Sequence, residues 1–196
     1  MNQKWVKFSI KKLFLLGWFL VFSPFARTWG EDARSIPVDV YIIVDSSSSM
    51  EKGKEEAVNW LCTTVIDGIV KTGDSLSIWT AGTQPDLIYS RAVSAETKEE
   101  AKNLIRQIRF LGGAADYKGA LNEVRARALA GPGNRMIYTL LVSGANPKDP
   151  PIKEAESAGL LLYSRVESFA GWRVFTIGLD ISARVRESAD SYMKNR

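Results

Sequence analysis

The sequence predicts an α/β domain built on an open, mostly parallel, doubly wound sheet, with one antiparallel edge strand and helices on both faces. Two β-rich apolar runs, residues 38–44 (VDVYIIV) and 136–142 (MIYTLLV), are near-continuous, which is typical of strands that are covered on both faces. Stretches with apolar residues every three or four positions separate the strand-like runs, which indicates amphipathic helices. The length of 196 residues and the hydrophobic fraction of 45% suit one such domain with a short appendage.

The elements follow one another in the order β-α-β-β-α-α-β-α-β-α, which favours a mostly parallel sheet with helices on both faces. We expect strands at residues 38–44, 75–81, 87–92, 136–142 and 173–179, and helices at 54–71, 97–110, 117–130, within 153–169 and at 183–194. A short turn at 82–85 joins the second and third strands, so we expect these two strands to form an antiparallel hairpin at the sheet edge.

The predicted helix at 54–71 carries a broad apolar stripe, because its apolar pairs recur about every four residues. Cys62 lies in that stripe, so we expect it to pack in the core and not to act as a reactive thiol. Trp60, Trp79 and Trp172 also fall within predicted elements, and we expect them to contribute to the core.

The first thirty residues differ from the rest of the chain. Four lysines form a basic start, residues 13–25 (LFLLGWFLVFSPF) carry no charge, and Thr28 and Gly30 supply small residues before a cut after Gly30. This is the pattern of a secretory signal peptide. A helix of residues 13–25 covers only about 20 Å, short of the roughly 30 Å hydrocarbon core of a bilayer. Read from residue 8 to 25, however, the segment is long enough to remain as an uncleaved anchor.

We therefore expect residues 1–30 to be a signal peptide or an N-terminal membrane anchor, residues 31–36 a short linker, and residues 37–196 the domain. The protein would be exported to the periplasm, to the cell surface or into the medium. If the leader is not cleaved, residues 8–25 would anchor the protein in the inner membrane, and this would be its only membrane contact.

The basic net charge of +4 belongs to the leader. Five of the 26 basic residues and none of the 22 acidic residues lie in the first thirty positions, so the remainder is close to neutral. No later stretch combines clustered Lys and Arg with interleaved aromatic residues. The sequence therefore gives no reason to expect nucleic-acid binding.

The composition excludes several kinds of catalytic site. The chain has no His, which removes His-based triads, His general bases and His-ligated zinc. A single Cys excludes an internal disulfide and multi-Cys metal clusters. No phosphate-binding G-x-x-x-x-G-K-[ST] motif occurs either. We therefore expect a protein that is not an enzyme.

The most informative loop directly follows the first strand, and it has the sequence Asp45-Ser46-Ser47-Ser48-Ser49-Met50. In an extended turn, Asp45, Ser47 and Ser49 alternate and can direct a carboxylate and two hydroxyls to one point. Such oxygen ligands suit Mg²⁺, Mn²⁺ or Ca²⁺. In open α/β sheets, ligands bind beyond the carboxyl ends of the strands, which is where this loop falls.

Together these features resemble the von Willebrand factor type A (VWA) domain, which has a Rossmann-like fold. The resemblance covers residues 37 to about 180 and rests on VDVYIIVDSSSSM, the hairpin SLSIWTAG…DLIYS, the loop LGGAADYKGAL, and the strands MIYTLLVSG and WRVFTIGLD. It implies that Asp45, Ser47 and Ser49 form the core of a metal-ion-dependent adhesion site. In the family, a Thr from a second loop and an Asp from a third complete this site, and a protein ligand often supplies a carboxylate to the metal.

The chain departs from the family's metal-site pattern at two positions. The family's Thr position falls on Ala115, which has no side-chain oxygen, and the family's Asp position falls on Gly144. Losing a hydroxyl and a carboxylate weakens a divalent site. Asp116 could turn inward as a substitute, or it could brace its own loop. Without a metal, we expect backbone N–H groups to satisfy Asp45, and Ser47 and Ser49 to cap the turn into the helix at 54–71.

A third departure concerns the end of the chain, where the family usually continues through a helix, a further strand and a final helix. The resemblance therefore implies that the family's last strand and helix are lacking. The strand at 173–179 would then be an uncovered edge that is open to pairing with another chain, unless the helix at 183–194 folds back over it.

Two functions follow from these observations. The first is an exported, non-enzymatic interaction module that binds a protein partner with weak metal binding or none. Its ligand-binding loops would include Ser46, Ser48, Gly112, Gly113, Asp116 and Gly144. The second is an adhesion receptor in which Mg²⁺, bound by Asp45, Ser47 and Ser49, would coordinate a carboxylate of the partner.

Overall fold

The computed structural model describes residues 37–110, 112–131, 135–161 and 164–177. The expected leader at 1–30, the linker at 31–36 and the expected helix at 183–194 lie outside the described residues. Within the described ranges, no helix is both long and apolar enough to cross a bilayer.

Six strands and four helices make up the described domain. The strands are β1 (Val38–Asp45), β2 (Ser75–Ala81), β3 (Pro85–Ala92), β4 (Met136–Ser143), β5 (Ser164–Ser168) and β6 (Arg173–Ile177). The helices are α1 (Lys54–Trp60), which continues as a π-helical segment (Leu61–Ile69), α2 (Ala95–Gln107), α3 (Tyr117–Ala130) and α4 (Pro150–Ser157), and a 3-10 turn spans Ser48–Met50.

The strands form one open sheet in the order β3-β2-β1-β4-β6-β5. β1 lies at the centre and pairs in parallel with both β2 and β4. β3 pairs antiparallel with β2 at the edge, which confirms the predicted hairpin. β1, β2, β4 and β5 run in the same direction, so the sheet is mixed and mostly parallel, as the sequence predicts.

Each face of the sheet is covered by its own set of helices. Alternate residues of β1 point to opposite faces. Val40 and Ile42 pack on the side of α1 and α2, whereas Tyr41 and Ile43 pack on the side of α3 and α4. This two-sided burial accounts for the near-continuous apolar sequence of the strand.

Cys62 lies in the π-helical segment that continues α1, and it is buried in the core as expected. Burial is the main cause that raises the pKa of its thiol, so the side chain stays protonated at neutral pH.

The predicted helix within 153–169 is wrong over its second half. α4 ends at Ser157, and Ser164–Ser168 is a strand. Gly159 has a φ of 75°, and the Leu160 and Gly159 N–H groups donate to the carbonyl oxygens of Ala155 and Glu156. This is a Schellman motif, which ends the helix. Apolar residues every four positions suggested a longer helix, but the glycine gives the stronger signal.

The sequence left open whether the strand at 173–179 is an uncovered edge, and in the described sheet it is not the edge. Its described part, β6, lies between β4 and β5 and pairs antiparallel with both. A tight turn at residues 169–172 joins β5 to β6 and reverses the chain. β6 is therefore a second antiparallel strand, and β5 is the edge of the described sheet.

Candidate functional site at the carboxyl ends of the strands

Three loops converge at the carboxyl ends of β1, β2 and β4. Because these strands are parallel neighbours, the first loop after Asp45, the β2–β3 turn after Ala81 and the third loop after Ser143 meet at one end of the sheet. The Ser46 N–H donates to the Ala81 carbonyl oxygen at 3.1 Å, which ties the first loop to β2. The Asp116 N–H donates to the Gly82 carbonyl oxygen at 2.8 Å, which brings the start of α3 to the same end.

The Asp45 carboxylate lies at the centre of this site and is fully buried. Its Oδ1 accepts the Ser47 N–H at 2.8 Å. Its Oδ2 lies within hydrogen-bond distance of four donors. These are the Tyr117 hydroxyl at 2.6 Å, the Ser143 hydroxyl at 3.0 Å, the Ser49 hydroxyl at 3.1 Å and the Gly144 N–H at 3.3 Å. Side chains and backbone of this chain thus satisfy a buried charge that would be costly if it were unpaired.

Tyr117 is a site residue that the sequence analysis missed. Its side chain is 2% exposed, and its hydroxyl lies 2.6 Å from both Asp45 Oδ2 and Ser143 Oγ. Burial, and then the charge of Asp45, raise the pKa of this hydroxyl well above its usual range, so it remains a donor at neutral pH. Tyr117 also begins the apolar stripe of α3, and in the sequence it is indistinguishable from a core residue.

Ser143 is the second missed residue, because the sequence shows it only as the end of a buried strand. Its hydroxyl contacts Asp45 and Tyr117 and accepts the Ala145 N–H at 2.9 Å. Ser143 therefore links the third loop to the first. A polar residue at the carboxyl end of a central strand was the available signal.

The serines of the first loop occupy two environments. Ser47 is buried and Ser49 is exposed, and their Oγ atoms lie 2.8 Å apart. Ser46 is half-buried and Ser48 is exposed. Ser47 precedes the 3-10 turn, but its side chain makes no capping bond there. The N-cap of α1 is Gly53, without a side-chain bond, so the expected capping by Ser47 and Ser49 is wrong.

The second loop is the segment between α2 and α3, and it contributes Gly112, Gly113, Ala115 and Asp116. Both glycines have positive φ values, 88° and 90°, a backbone conformation that glycine adopts without a steric penalty. Ala115, which we expect at the family's Thr position, is buried. The Asp116 Oδ1 accepts the Gly119 N–H at 2.7 Å and caps α3, so this carboxylate braces its own helix.

Gly144, which we expect at the family's Asp position, is in close contact with the first loop. A Cβ atom built on Gly144 would lie 2.1 Å from the Ser49 carbonyl oxygen and 2.8 Å from the Met50 nitrogen. Backbone atoms block that position, so a side chain there requires the first loop to move. Beside it, Arg173 donates to the Gly144 and Ala145 carbonyl oxygens at 3.2 and 3.3 Å and holds the third loop against β6.

The residues at this end of the sheet do not fit the family's metal site. Four donors of the chain already surround Asp45 Oδ2, Ala115 offers no oxygen, and backbone of the first loop fills the space in which a carboxylate at position 144 would lie. In the ranges that the structure describes, no group of three Cys, Asp or Glu side chains could hold a metal ion.

An open α/β sheet whose first strand leads into an Asp-x-Ser-x-Ser loop defines the class of VWA domains. A model of the family described as von Willebrand factor type A domain matches residues 38–183, which is more than half of the chain. The chain therefore belongs to this family, which confirms the resemblance seen in the sequence. Domains of this family are generally non-enzymatic and commonly mediate protein–protein interaction.

Among curated proteins, human von Willebrand factor A domain-containing protein 2 is 25% identical over 145 residues. The match covers 70% of this chain but only 19% of the human protein.

Solved structures that match this chain include proximal thread matrix protein 1 from the mussel byssus, at 20% identity and a TM-score of 0.46, covering 63% of this chain and 35% of that one. Another structure of that protein has a zinc-occupied metal-ion-dependent adhesion motif. The vWF domain of the type V pilus tip protein Mfa5 from Porphyromonas gingivalis is 17% identical, with a TM-score of 0.41, covering 64% of this chain and 51% of that one.

Proposed function

We propose that this chain is an exported, non-enzymatic interaction module that binds a protein partner through the loops at the carboxyl ends of β1, β2 and β4 without a bound metal. Family membership supports protein binding as the general role. The position of the three loops supports this end of the sheet as the binding surface, because ligands of open α/β sheets bind there.

The hydrogen bond from the Tyr117 hydroxyl to Asp45 Oδ2, at 2.6 Å, carries the metal-free part of the proposal. A metal bound to Asp45 Oδ2 would have to displace the Tyr117 hydroxyl, which is neutral, buried and already hydrogen-bonded to that oxygen. Displacement would leave the hydroxyls of Tyr117 and Ser143 to find new partners in a buried site, which costs about 1–3 kcal/mol for each group left unsatisfied. A fixed hydrogen-bond network thus holds the three loops in place.

The exposed rim around this network supplies the contact surface for the partner. Ser48, Glu51 and Lys52 from the first loop, Gly113 and Ala114 from the second, and Asn146 and Lys148 from the third are exposed. The rim is polar and carries charges of both signs. It therefore suits a polar protein surface, such as those that transient complexes use.

Export rests on the leader pattern at residues 1–30 and is part of the proposal. A basic start followed by an uncharged stretch directs a chain across a membrane. We place the protein in the periplasm, at the cell surface or in the medium, where the lone Cys, buried in the core, has no partner for an internal disulfide. Fractionation of the native host with an antibody to the chain tests this: recovery in the cytosol, with the leader intact, would contradict export.

Co-purification from the native envelope tests the binding surface. The tagged chain is captured with and without a chelator, beside two variants: Ser48→Arg on the rim, and Thr72→Arg, also exposed, at the opposite end of the sheet. We expect a specific set of bound proteins that persists in chelator, is lost from Ser48→Arg and remains on Thr72→Arg. Loss of the bound proteins in chelator, or their retention on Ser48→Arg, would contradict the proposal.

A second candidate is the metal-dependent adhesion receptor, and one observation favours it. The family's first-loop oxygens are all present, and the Oγ atoms of Ser47 and Ser49 lie 2.8 Å apart. In this receptor, Mg²⁺, Mn²⁺ or Ca²⁺ would bind to Asp45, Ser47 and Ser49. Partner release by chelator in the same experiment distinguishes the receptor from the metal-free module.

A further inference from the structure

The edge strand β5 has features that suit it to pairing with a second copy of this chain. β5 (Ser164–Ser168) pairs only with β6 among the described strands, and it ends the sheet order. Four of its five residues are exposed, and Val166 is among the exposed large apolar side chains. This edge is on the side of the domain, away from the loop site at the carboxyl ends of β1, β2 and β4.

The hydrogen-bond register of the hairpin shows which backbone groups of β5 point outward. The Phe169 N–H donates to the Trp172 carbonyl oxygen at 2.9 Å, so residues 169, 167 and 165 occupy the hydrogen-bonded positions opposite β6. Because these positions alternate along an antiparallel pair, the N–H and C=O groups of Val166 and Ser168 point away from β6. The outer edge is therefore centred on Val166.

The side chains on either side of Val166 are complementary to their own copies. Arg165 and Glu167 flank Val166, point to the same face, and lie 3.3 Å apart within one chain, with side chains that are 81% and 49% exposed. When a second β5 pairs antiparallel about Val166, each Arg165 lies opposite the partner's Glu167. The register places these residues at the positions between hydrogen-bonded pairs, where cross-strand side chains approach most closely.

We propose that two copies of this chain associate through their β5 strands, antiparallel and centred on Val166, and so join their sheets into one. Val166 of each copy exchanges two backbone hydrogen bonds across the two-fold axis, and two Arg165–Glu167 pairs form on one face. Charges on an edge strand commonly prevent pairing. Here the charges alternate in sign about the axis, so an antiparallel second copy matches them and a parallel copy does not.

Charge reversal at β5, followed by sedimentation velocity over a range of protein concentrations, tests this proposal. Glu167→Arg places arginines opposite arginines, and Arg165→Glu places glutamates opposite glutamates. We expect the wild-type chain to shift from monomer towards dimer as concentration rises. Each single variant should associate at least about tenfold more weakly, because two attractive pairs become repulsive.

Two combinations should restore association. An equimolar mixture of the Glu167→Arg and Arg165→Glu variants pairs positive with negative edges, and the double variant R165E/E167R recreates complementarity within each chain. Glu156→Arg on α4 is the matched control, because Glu156 is also in an exposed ion pair and its side chain is 52% exposed. Glu156→Arg should associate as the wild type does.

The outcomes are separable from a folding defect, because the altered side chains are exposed and the mixture uses the same two single variants. A wild-type chain that stays monomeric at every concentration would overturn the proposal. So would single variants that associate as strongly as the wild type, or a mixture that stays monomeric when the wild type dimerises.

Discussion

At the scale of single residues, the metal-free account of the loop site rests on the hydrogen bond from the Tyr117 hydroxyl to Asp45 Oδ2. Asp45 could be predicted from the sequence, because an acidic residue at the end of a buried strand needs partners. Tyr117 could not, because a tyrosine in the apolar stripe of a helix has the same sequence signature whether or not its hydroxyl bonds to a carboxylate. The identity of the donors around Asp45 depends on three loops that are far apart in the sequence.

Replacing Tyr117 with Phe removes one donor to Asp45 and leaves the ring in place. We expect Tyr117→Phe to lower the free energy of unfolding by about 1–3 kcal/mol, because a buried carboxylate loses a hydrogen bond. Urea unfolding measures this effect. Tyr138→Phe is the control, since Tyr138 is exposed, and should change the free energy of unfolding by no more than about 0.5 kcal/mol. Equal effects of the two changes would contradict the role of Tyr117.

The raised pKa of Tyr117 predicts a loss of stability at alkaline pH. In the unfolded chain this tyrosine ionises near pH 10, whereas in the folded chain burial and Asp45 keep it protonated. The unfolded state therefore binds fewer protons above about pH 10, and the free energy of unfolding falls as the pH rises. In Tyr117→Phe this component is absent, so the decline measured by urea unfolding between pH 9 and 11 should be shallower than in the wild type.

Gly144 allows a second test at this scale. The Cβ of Gly144→Ala would lie 2.1 Å from the Ser49 carbonyl oxygen, so the first loop must move. We expect a loss of about 1–3 kcal/mol in the free energy of unfolding, as for other overpacked sites. Gly68→Ala is the control, because its Cβ would meet only the Thr63 carbonyl oxygen at 3.6 Å, an ordinary contact. Gly144→Ala with wild-type stability would show that the loop is not packed as described.

At the scale of elements, the strands at the centre of the sheet could be predicted from the sequence. The end of α4 and the hairpin of β5 and β6 could not. β1 and β4 have continuous apolar sequences that are too short for a typical helix and rich in β-branched residues, which favours buried strands. The segment after α4 has apolar residues spaced as in a helix, but Gly159 ends the helix and Ser164–Ser168 forms β5. A single residue in the left-handed conformation decided between the two patterns.

Gly159→Ala tests the role of this glycine at the end of α4. Alanine in the left-handed conformation costs about 1–2 kcal/mol relative to glycine. We expect the free energy of unfolding, measured in urea, to fall by about 1 kcal/mol. Gly73→Ala should lower it by a similar amount, because Gly73 also has a positive φ, 95°, although it ends no described helix. No loss in Gly159→Ala would contradict the proposed helix end.

At the scale of the whole molecule, the chain combines the VWA sheet with a loop site that its own side chains fill. The composition and the order of the elements predicted the sheet, because apolar strands that alternate with amphipathic helices are buried on both faces. The sequence predicts that the site departs from the family pattern at Ala115 and Gly144. The hydroxyls of Tyr117 and Ser143 donate to Asp45, and these contacts could not be predicted from the sequence because they form only in the folded chain.

Calorimetric titration of the purified chain with Mg²⁺ and with Mn²⁺ tests most directly whether the loop site binds a metal. If donors of the chain satisfy Asp45, millimolar metal should give no heat of binding and should leave the melting temperature of the wild type unchanged. Saturable binding at submillimolar metal, with a rise in melting temperature that is lost in Asp45→Asn, would contradict the metal-free account and support the adhesion receptor.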